Sequence, residues 1–365
     1  MREPEPLQQV RRTYVRQRGR ELSYFAGCDY FRLASHPKIL RAVRDGLKRY
    51  GLNVAASRRT TGNHEVYLAL ERKLAKFFRA EAAVLVSTGY LTNLIAAQAI
   101  RGSFSHALID EKSHLSPVDA TPFLDCPVLR FKHRDIADFA ATLQRCGRGA
   151  RPVVLTDGMF ASNGAVAPLH AYLKLLPRDG VIIVDDSHGA GTLGNHGGGA
   201  LELEGVDRQR IVQCVTLSKA FGCYGGAIVG AKKLREQIVT RSPMFIGSTP
   251  LPLPLAVGVS AALDLLQSDP GLRQRLNANA NWLKENLRAA GLALPDHPGP
   301  IVPFPLKSGA ANARLRRELL ATGIFPSFIE YPGGPAGGYF RFVISSEHTG
   351  AQLTKLARVL RRSIG

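Results

Sequence analysis

Six short apolar runs, separated by segments with helical periodicity, limit most strongly how this chain can fold. Runs that are apolar at consecutive positions are typical of strands buried on both faces, and helices between them provide the crossovers of a parallel sheet. The sequence therefore predicts an α/β fold with a mostly parallel central sheet. The predicted strands are Ala83–Ser87, Ala107–Asp110, Val153–Asp157, Val181–Asp186, Ile211–Leu217 and Ala227–Gly230.

The 365 residues suffice for one large domain and a smaller one beside it. We predict an N-terminal arm over residues 1–36, a large domain over 37–270 and a small α+β domain over 271–365. Residues 1–20 contain six arginines without clear periodicity, which favours an arm or a short helix. Further predicted elements are helices Pro37–Tyr50, Leu91–Ile100, Leu169–Leu176, Leu253–Leu266, Leu272–Ala290 and Asn312–Ala321, strands near Ile301–Leu306 and at Tyr339–Ser345, and a terminal helix from Ala351.

Composition argues against several classes of protein. No run approaches the roughly 18 consecutive apolar residues of a membrane helix, so no membrane span is predicted. The arginine-containing N-terminus has no apolar core behind it, which argues against a secretory signal and favours the cytoplasm. The five cysteines are scattered without zinc-ligand spacing, so we expect free thiols and no metal site.

Candidate catalytic residues follow the ends of the apolar runs, where open α/β sheets bind ligands. The first run leads into Ser87–Tyr90 before a helix, an arrangement suited to binding phosphate through backbone N–H groups. The fourth run ends in Asp185 and Asp186, whose side chains point to opposite faces, so that one of them can enter a site. Lys219 follows the fifth run, an unusual place because lysines avoid burial unless they are paired or used chemically.

Together these residues suit pyridoxal phosphate. That cofactor needs a lysine for an imine, an acid at its pyridine nitrogen and donors for its phosphate. Asp185 precedes Lys219 by about one strand–helix–strand unit, so both side chains can reach one site. His188 can hydrogen-bond the ring oxygen of the cofactor, and His114 can stack on the ring face.

The chain resembles the α-oxoamine synthases, which are fold-type I pyridoxal phosphate enzymes with the fold of aspartate aminotransferase. The motif pair VDDSHGAG at 184–191 and TLSKAFG at 216–222 carries the resemblance most specifically. The order and spacing of the matches fit from about Ser23 to the C-terminus. The resemblance implies an enzyme that joins an amino acid to an acyl-CoA with loss of CO2. Other matching stretches are Thr61–Asn63, Leu70 with Glu71, Ser87–Tyr90 with Asn93, Asp110 with His114, Asp157–Phe160 and Gly247–Pro250.

The resemblance also implies catalytic roles. Lys219 forms the imine with the cofactor and later moves the α-proton of the amino acid. Asp185 pairs with the protonated pyridine nitrogen, His188 bonds the ring oxygen, and His114 stacks on the ring.

Phosphate binding is implied at a second set of positions. Thr216, with the backbone at Gly89 and Tyr90, holds the cofactor phosphate. Thr249 helps to hold the phosphate bound in the partner subunit, because members of the family form homodimers with shared active sites.

Substrate recognition is where the chain departs from the family pattern. The resemblance assigns Arg341 to the amino-acid carboxylate, which suits a bidentate guanidinium, and makes Asn63 a further substrate contact. Ala161 stands where the family usually has a cofactor-contacting serine, Tyr67 replaces a familiar histidine, and Glu330 stands near an arginine position of biotin-pathway members. The N-terminal region is short and is predicted to lack the β-hairpin that many members have.

The first expectation within the family is the reaction that joins a pimeloyl thioester to alanine for biotin. The serine palmitoyltransferase, 2-amino-3-ketobutyrate ligase and 5-aminolevulinate synthase types are alternatives, as is an aminotransferase or aldolase of the same fold. The 48 basic and 29 acidic residues give a net charge of +19, which suits capture of the phosphates of coenzyme A. A nucleic-acid-binding module is disfavoured, because the arginines of the arm lack interleaved aromatics and a binding motif.

Overall fold

The computed structural model describes residues 5–330, 334–335 and 337–364, so the first four residues of the predicted arm lie outside the described part. The strands are β1 Gln8–Arg11, β2 Tyr14–Gln17, β3 Arg20–Ser23, β4 Ala82–Val86, β5 His106–Asp110, β6 Val128–Phe131, β7 Pro152–Asp157, β8 Val181–Asp185, β9 Ile211–Thr216, β10 Gly226–Gly230, β11 Ile301–Phe304, β12 Phe328–Ile329 and β13 Tyr339–Val343. The helices are α1 Pro37–Tyr50, α2 Glu65–Phe77, α3 Leu91–Ala99, α4 Leu115–Ala120, α5 Ile136–Arg145, α6 Leu169–Leu175, α7 Ala200–Leu203, α8 Lys232–Arg241, α9 Pro243–Gly247, α10 Leu253–Ser268, α11 Gly271–Ala289, α12 Gly309–Ala321 and α13 Gly350–Arg361.

A seven-stranded sheet in the order β4-β10-β9-β8-β7-β5-β6 forms the centre of the chain. Within the described strands of this sheet, only β10 runs antiparallel to its neighbours, β4 and β9, so the predicted mostly parallel α/β sheet is confirmed. The sequence interpretation missed the edge strand β6. In this strand Val128 and Arg130 are exposed, so it lacks the continuous apolar run that marks a strand buried on both faces.

The central sheet is buried on both faces, as its apolar strands require. Along β8, Ile182 and Val184 enter one apolar cluster, whereas Ile183 enters the cluster on the opposite face. This alternation follows from the two-residue repeat of a strand. The sheet is thereby held rigidly between two helical layers, and the carboxyl ends of β7, β8 and β9 form a fixed edge.

The N-terminal region folds as an antiparallel sheet in the order β1-β2-β3. The predictions of an arm or short helix, and of a missing β-hairpin, were therefore wrong. A two-residue turn of Arg18 and Gly19, with φ of 48° and 74°, connects β2 to β3. Turns with positive φ at both central residues are common in hairpins because their twist matches the right-handed twist of the strands. The strands are short and rich in arginine, and only positions such as Val15 and Leu22 are buried, so little apolar alternation was present in the sequence.

A third sheet, in the order β11-β13-β12, packs with α11, α12 and α13 around a separate apolar cluster. Phe25, which follows the N-terminal sheet, is buried in this same cluster. The backbone N–H of Ser23 donates to the carbonyl of Gly323 over 2.8 Å. The beginning of the chain is therefore packed against its C-terminal elements. None of the helices in the described ranges combines the length and hydropathy of a segment that crosses a bilayer.

Candidate active site

The carboxyl ends of β7, β8 and β9 open into a cavity of about 250 Å³, here called the active-site cavity. It lies where ligands bind in open α/β sheets. Seven residues predicted from the sequence share its wall: Gly89, Tyr90, His114, Asp185, His188, Thr216 and Lys219. In the described part of the chain, no group of three His, Cys, Asp or Glu side chains is arranged to hold a metal ion.

Lys219 lies in a chain of hydrogen bonds that crosses the cavity floor. Its Nζ is 2.8 Å from Nε2 of His188, and Nδ1 of His188 is 2.7 Å from the hydroxyl of Tyr30. Burial lowers the pKa of the Lys219 amine, and burial with the nearby Lys219 lowers the pKa of His188 well below its usual range. The histidine is therefore a neutral imidazole, and the lysine is shifted towards the free amine that reacts with aldehydes.

Gly222 holds the loop that carries Lys219 against the N-terminal segment. Its φ is +62°, a conformation that favours glycine. An added Cβ would lie 2.5 Å from the backbone N of Ala34 and 2.5 Å from Cβ of Leu33. The glycine of the TLSKAFG motif thus permits the close approach that brings Tyr30 within reach of His188.

Asp185 and Asp186 point to opposite faces, as strand alternation predicts. Oδ2 of Asp185 accepts a 2.7 Å hydrogen bond from Nδ2 of Asn93, and Oδ1 accepts one of 3.1 Å from the N–H of Ser187. Asp186 faces away from the cavity and accepts from Nε2 of Gln213 at 2.7 Å. Burial raises the pKa of Asp186 to about 7. Of these two carboxyl groups, only that of Asp185 is therefore available to a ligand in the cavity.

Asp157 is a second carboxyl group in the cavity wall. It sits beside Asp185 in the register of β7 and β8, and its Oδ1 accepts from the backbone N–H of His114 at 3.0 Å. Burial, together with the charge of Asp185, raises the pKa of Asp157 well above its ordinary value. The neutral carboxylic acid is therefore favoured at Asp157.

The opposite end of the cavity is built to receive a phosphate. Gly89 and Tyr90 precede α3, and the first N–H groups of a helix have no partners inside that helix. Oγ1 of Thr216, at the end of β9, and Oγ of Ser218, just after it, lie 2.7 Å apart. A Cβ on Gly89 would come within 2.5 Å of Oγ1 of Thr216, so glycine keeps this cradle open.

The cavity residues thus fit pyridoxal phosphate at three points. The phosphate cradle lies at one end, the amine of Lys219 lines the wall, and the carboxylate of Asp185 can pair with a protonated pyridine nitrogen. In the described chain, no lysine or arginine lies within 4 Å of the Asp185 carboxylate to neutralise it, and the side-chain amide of Asn93 and the N–H of Ser187, which donate to it, are neutral. A buried carboxylate of this kind favours a cationic ligand.

Three other predicted residues lie outside the wall of the active-site cavity. Arg341 is close enough that its charge lowers the pKa of His188 and Lys219, although burial is the larger cause for both. Its Nη1 donates to the carbonyl of Ala161 at 2.9 Å. Asn63 and Thr249 are exposed, and Oδ1 of Asn63 accepts from the guanidinium of Arg58 at 3.0 Å.

Comparison with known proteins then decides the family. The family model described as aminotransferase class I and II matches residues 28–360. The chain belongs to this family. An 8-amino-7-oxononanoate synthase of Thioalkalivibrio sulfidiphilus is 33% identical over 349 residues, which cover 95% of this chain and 89% of that protein.

Solved structures place this aminotransferase class I and II protein among the α-oxoamine synthases. A serine palmitoyltransferase of Sphingomonas wittichii matches with a TM-score of 0.92 at 25% identity, covering 99% of this chain and 92% of that one. A second serine palmitoyltransferase structure, which holds pyridoxal phosphate, matches with a TM-score of 0.90 at 25% identity and covers 98% and 90% of the two chains. The predicted family, fold and dependence on pyridoxal phosphate are confirmed, and the protein is an enzyme.

The aminotransferase-family site also contains residues to which the sequence interpretation gave no role. Tyr30 supports His188, and Asn93 joins Asp185 to Ser116 through bonds of 2.7 and 2.9 Å. Asn93 belongs to a stretch that matches the family, which was a usable signal. Tyr30 precedes the large sheet by some fifty residues in the chain, and no local pattern connects it to the site.

Proposed function

We propose that the enzyme condenses an amino acid with an acyl thioester and releases CO2 and the free thiol. A carbon–carbon bond forms between Cα of the amino acid and the acyl carbon, while the acyl carbon–sulfur bond and the bond from Cα to the carboxylate break. The product is an α-amino ketone. The names of the curated relatives make 8-amino-7-oxononanoate synthesis, from a pimeloyl thioester and alanine, the first choice.

The arrangement of Lys219, His188 and Asp185 in one cavity is the observation that carries this proposal. When bound, pyridoxal phosphate supplies an aldehyde that takes up amines and a protonated ring that withdraws electrons from Cα of the amino acid. Asp185 keeps the ring nitrogen protonated by pairing with it. Gly89, Tyr90 and Thr216 hold the phosphate, and His114 packs on the ring.

Lys219 is the proposed proton carrier. Burial favours its neutral amine, which can accept the α-proton and return a proton later. His188 is hydrogen-bonded to the amine at 2.8 Å and positions it within the cavity. Because His188 is neutral, it orients Lys219 without adding a positive charge that would compete for the proton.

Arg341 is proposed to bind the carboxylate of the amino acid. Its Nη1 is anchored on the carbonyl of Ala161, and its charge acts on both His188 and Lys219. The planar guanidinium suits a bidentate pair with a carboxylate. This placement would fix the orientation of the amino acid, and with it the direction of the bond between Cα and the carboxylate that breaks in the reaction.

We further propose a homodimer in which Asn63 and Thr249 serve the partner's cavity. Both are exposed and lie outside the wall of their own chain's cavity. The guanidinium of Arg58 contacts Oδ1 of Asn63 and also lies over the ring of Phe245 at 5.8 Å. The segments around residues 63 and 245 therefore lie next to each other, which supports a composite site that uses both Asn63 and Thr249.

The test is a matrix of amino acids against acyl-CoA thioesters. Purified holoenzyme is mixed with each pair, free thiol is followed over time, and the product mass is measured. We expect thiol release coupled to a product that has lost CO2, with the largest rate for pimeloyl-CoA and alanine. Thiol release that is fastest with another pair would assign the enzyme to a different type of α-oxoamine synthase.

Amino-group transfer to a 2-oxo acid, without thiol release in any pairing, would replace the proposal with an aminotransferase. Aldehyde release from a β-hydroxy amino acid would replace it with an aldolase. Both reactions are measured on the same preparation, whose cofactor content is determined by absorbance. An inactive preparation is thereby distinguished from a wrong assignment.

A further inference from the structure

A second cavity, of about 760 Å³, lies between the N-terminal sheet and the segment that leads to α1. Its wall includes Arg11, Arg12, Tyr24, Cys28, Arg32 and Ser218, and it is here called the arginine cavity. Ser218 lines this cavity and the active-site cavity. The two cavities therefore adjoin at Ser218.

Arg32 is the unusual residue of this wall. Its side chain is buried, with 3% of the residue exposed. Its φ is 53°, in the left-handed region that a residue with a Cβ adopts at a cost of about 1 kcal/mol or more. Strained backbone of this kind occurs in turns, as at Arg18, and also clusters at ligand-binding sites.

The guanidinium of Arg32 is incompletely satisfied. One Nη2 bond reaches the carbonyl of Tyr24 at 3.1 Å, but the buried Nε has no hydrogen-bond partner in the described part of the chain. No carboxylate of the described residues lies within 4 Å to form an ion pair with it. The nearby Asp29 uses its two carboxylate oxygens to accept the backbone N–H groups of Leu33 and Ala34, at 2.8 and 3.0 Å.

Arg12 adds a second cation to the same wall. It pairs with Glu347 at 2.8 Å through Nη1, and its buried Nε also lacks a partner among the described residues. The remaining guanidinium, of Arg11, is paired with Glu21. The buried guanidinium of Arg32, which has no carboxylate within 4 Å among the described residues, thus lies in the wall of a cavity large enough for a ligand. Burying such a cation is costly unless an anion completes it.

We propose that Arg32 binds an anionic group of the thioester substrate in the arginine cavity. This inference rests on the proposed condensation and names a residue that determines which thioester the enzyme prefers. Two sources can supply the anion: a carboxylate at the far end of the acyl chain, or a phosphate of coenzyme A. In both cases Arg32 lies away from the reacting atoms, so it acts on thioester binding and leaves the chemical step unchanged.

The test compares Arg32→Gly with the wild type on four thioesters. Pimeloyl and heptanoyl groups differ in the terminal carboxylate, and each is offered on coenzyme A and on N-acetylcysteamine, which lacks phosphates. Glycine suits the left-handed backbone at position 32, so the variant removes the charge without adding strain. Arg18→Gly is the matched control, because Arg18 has φ of 48° and is exposed outside the arginine cavity.

A carboxylate source predicts that Arg32→Gly raises KM for both pimeloyl thioesters by about tenfold or more, as expected for a lost charged hydrogen bond. KM for the heptanoyl thioesters then stays within about twofold, the scatter allowed for a silent change. A phosphate source predicts the rise for both coenzyme A thioesters and for neither N-acetylcysteamine thioester. Arg32→Lys keeps the charge and is expected to recover part of the loss.

A binding measurement that needs no turnover can test this inference even if the proposed condensation is wrong. Calorimetry with coenzyme A and with free pimelate measures anion affinity in the holoenzyme even if no thioester reacts. Weaker binding of either anion to Arg32→Gly supports the inference. Equal affinity of both anions in the two proteins, or a fall in melting temperature with every KM unchanged, overturns it and leaves Arg32 a purely structural residue.

Discussion

Nζ of Lys219 lies 2.8 Å from Nε2 of His188, and burial keeps that imidazole neutral. A neutral imidazole has only one ring N–H, so the group at its other nitrogen decides what it offers to the lysine. Here that group is the hydroxyl of Tyr30, at 2.7 Å from Nδ1. Tyr30 therefore influences the amine of Lys219 through the tautomer of His188.

Tyr30→Phe tests this influence. We expect kcat to fall by about twofold to tenfold, the range for loss of one neutral hydrogen bond, with the KM values nearly unchanged. The pH profile of kcat should also shift, because His188 loses the hydrogen bond with Tyr30 and then orients the amine of Lys219 less firmly. Steady-state kinetics across pH measures both effects. A variant with an unchanged profile and kcat would show that Tyr30 only packs.

Lys219→Ala is expected to abolish turnover and the visible absorbance of the bound cofactor. The reason is that Lys219 is the one lysine in the wall of the active-site cavity described here. Lys174→Ala, at an exposed position of α6, is the matched control and should behave as the wild type. Absorbance and thiol release are measured on both variants. A Lys219→Ala protein that stays coloured and active would contradict the central assignment.

Asp185→Asn is expected to reduce kcat by about 10²–10³-fold, the usual effect of losing a preorganised charge in an active site. The amide can still occupy the space beside Asn93, but it cannot keep a ring nitrogen protonated. Asp186→Asn changes the neighbouring position on the opposite face and should leave kcat within about twofold. Comparable losses in the two variants would show that the effect comes from the strand and not from the cavity.

Asp186 also makes the stability of the protein depend on pH. Burial raises its pKa from 3.8 to about 7, so between these values the folded chain holds a proton that the unfolded chain has released. The stability that this group contributes is therefore fully present below about pH 3.8 and is lost as the pH rises through about 7. Asp186→Asn should flatten this dependence. Urea unfolding of both proteins at several pH values measures it, and parallel curves would refute the prediction.

Mixed dimers test the shared sites. A dimer of one Lys219→Ala chain and one Thr249→Ala chain contains one intact composite site, so random pairing should restore about a quarter of wild-type activity. The control pair, Lys219→Ala with Asp185→Asn, should restore nothing, because both residues line the same chain's cavity. Activity after co-refolding is compared with that of each variant alone. Equal recovery in both mixtures, or in neither, would contradict the proposed arrangement.

The parts of the site that could be predicted are those whose geometry is set by neighbouring residues in the sequence. Asp185 and Asp186 separate to two faces because a strand alternates, and Lys219 reaches the cavity because it follows a buried strand. The β6 strand and the N-terminal sheet were not predicted, since exposed arginines and short lengths left no apolar pattern. Tyr30 could not be found from local sequence either, because its contact with His188 joins residues far apart in the chain.

The packing of the N-terminal sheet against the C-terminal elements has a consequence for the order of folding. Thr13 and Gln352 are hydrogen-bonded across 339 positions of sequence, and Ser23 bonds to Gly323. During synthesis the N-terminal sheet must therefore wait for the last part of the chain before it can pack against the C-terminal elements. The central sheet can assemble earlier, so the nascent chain could acquire its phosphate cradle before the arginine cavity closes. A ribosome-bound chain that ends before α13 should therefore bind the cofactor more readily than it binds a thioester.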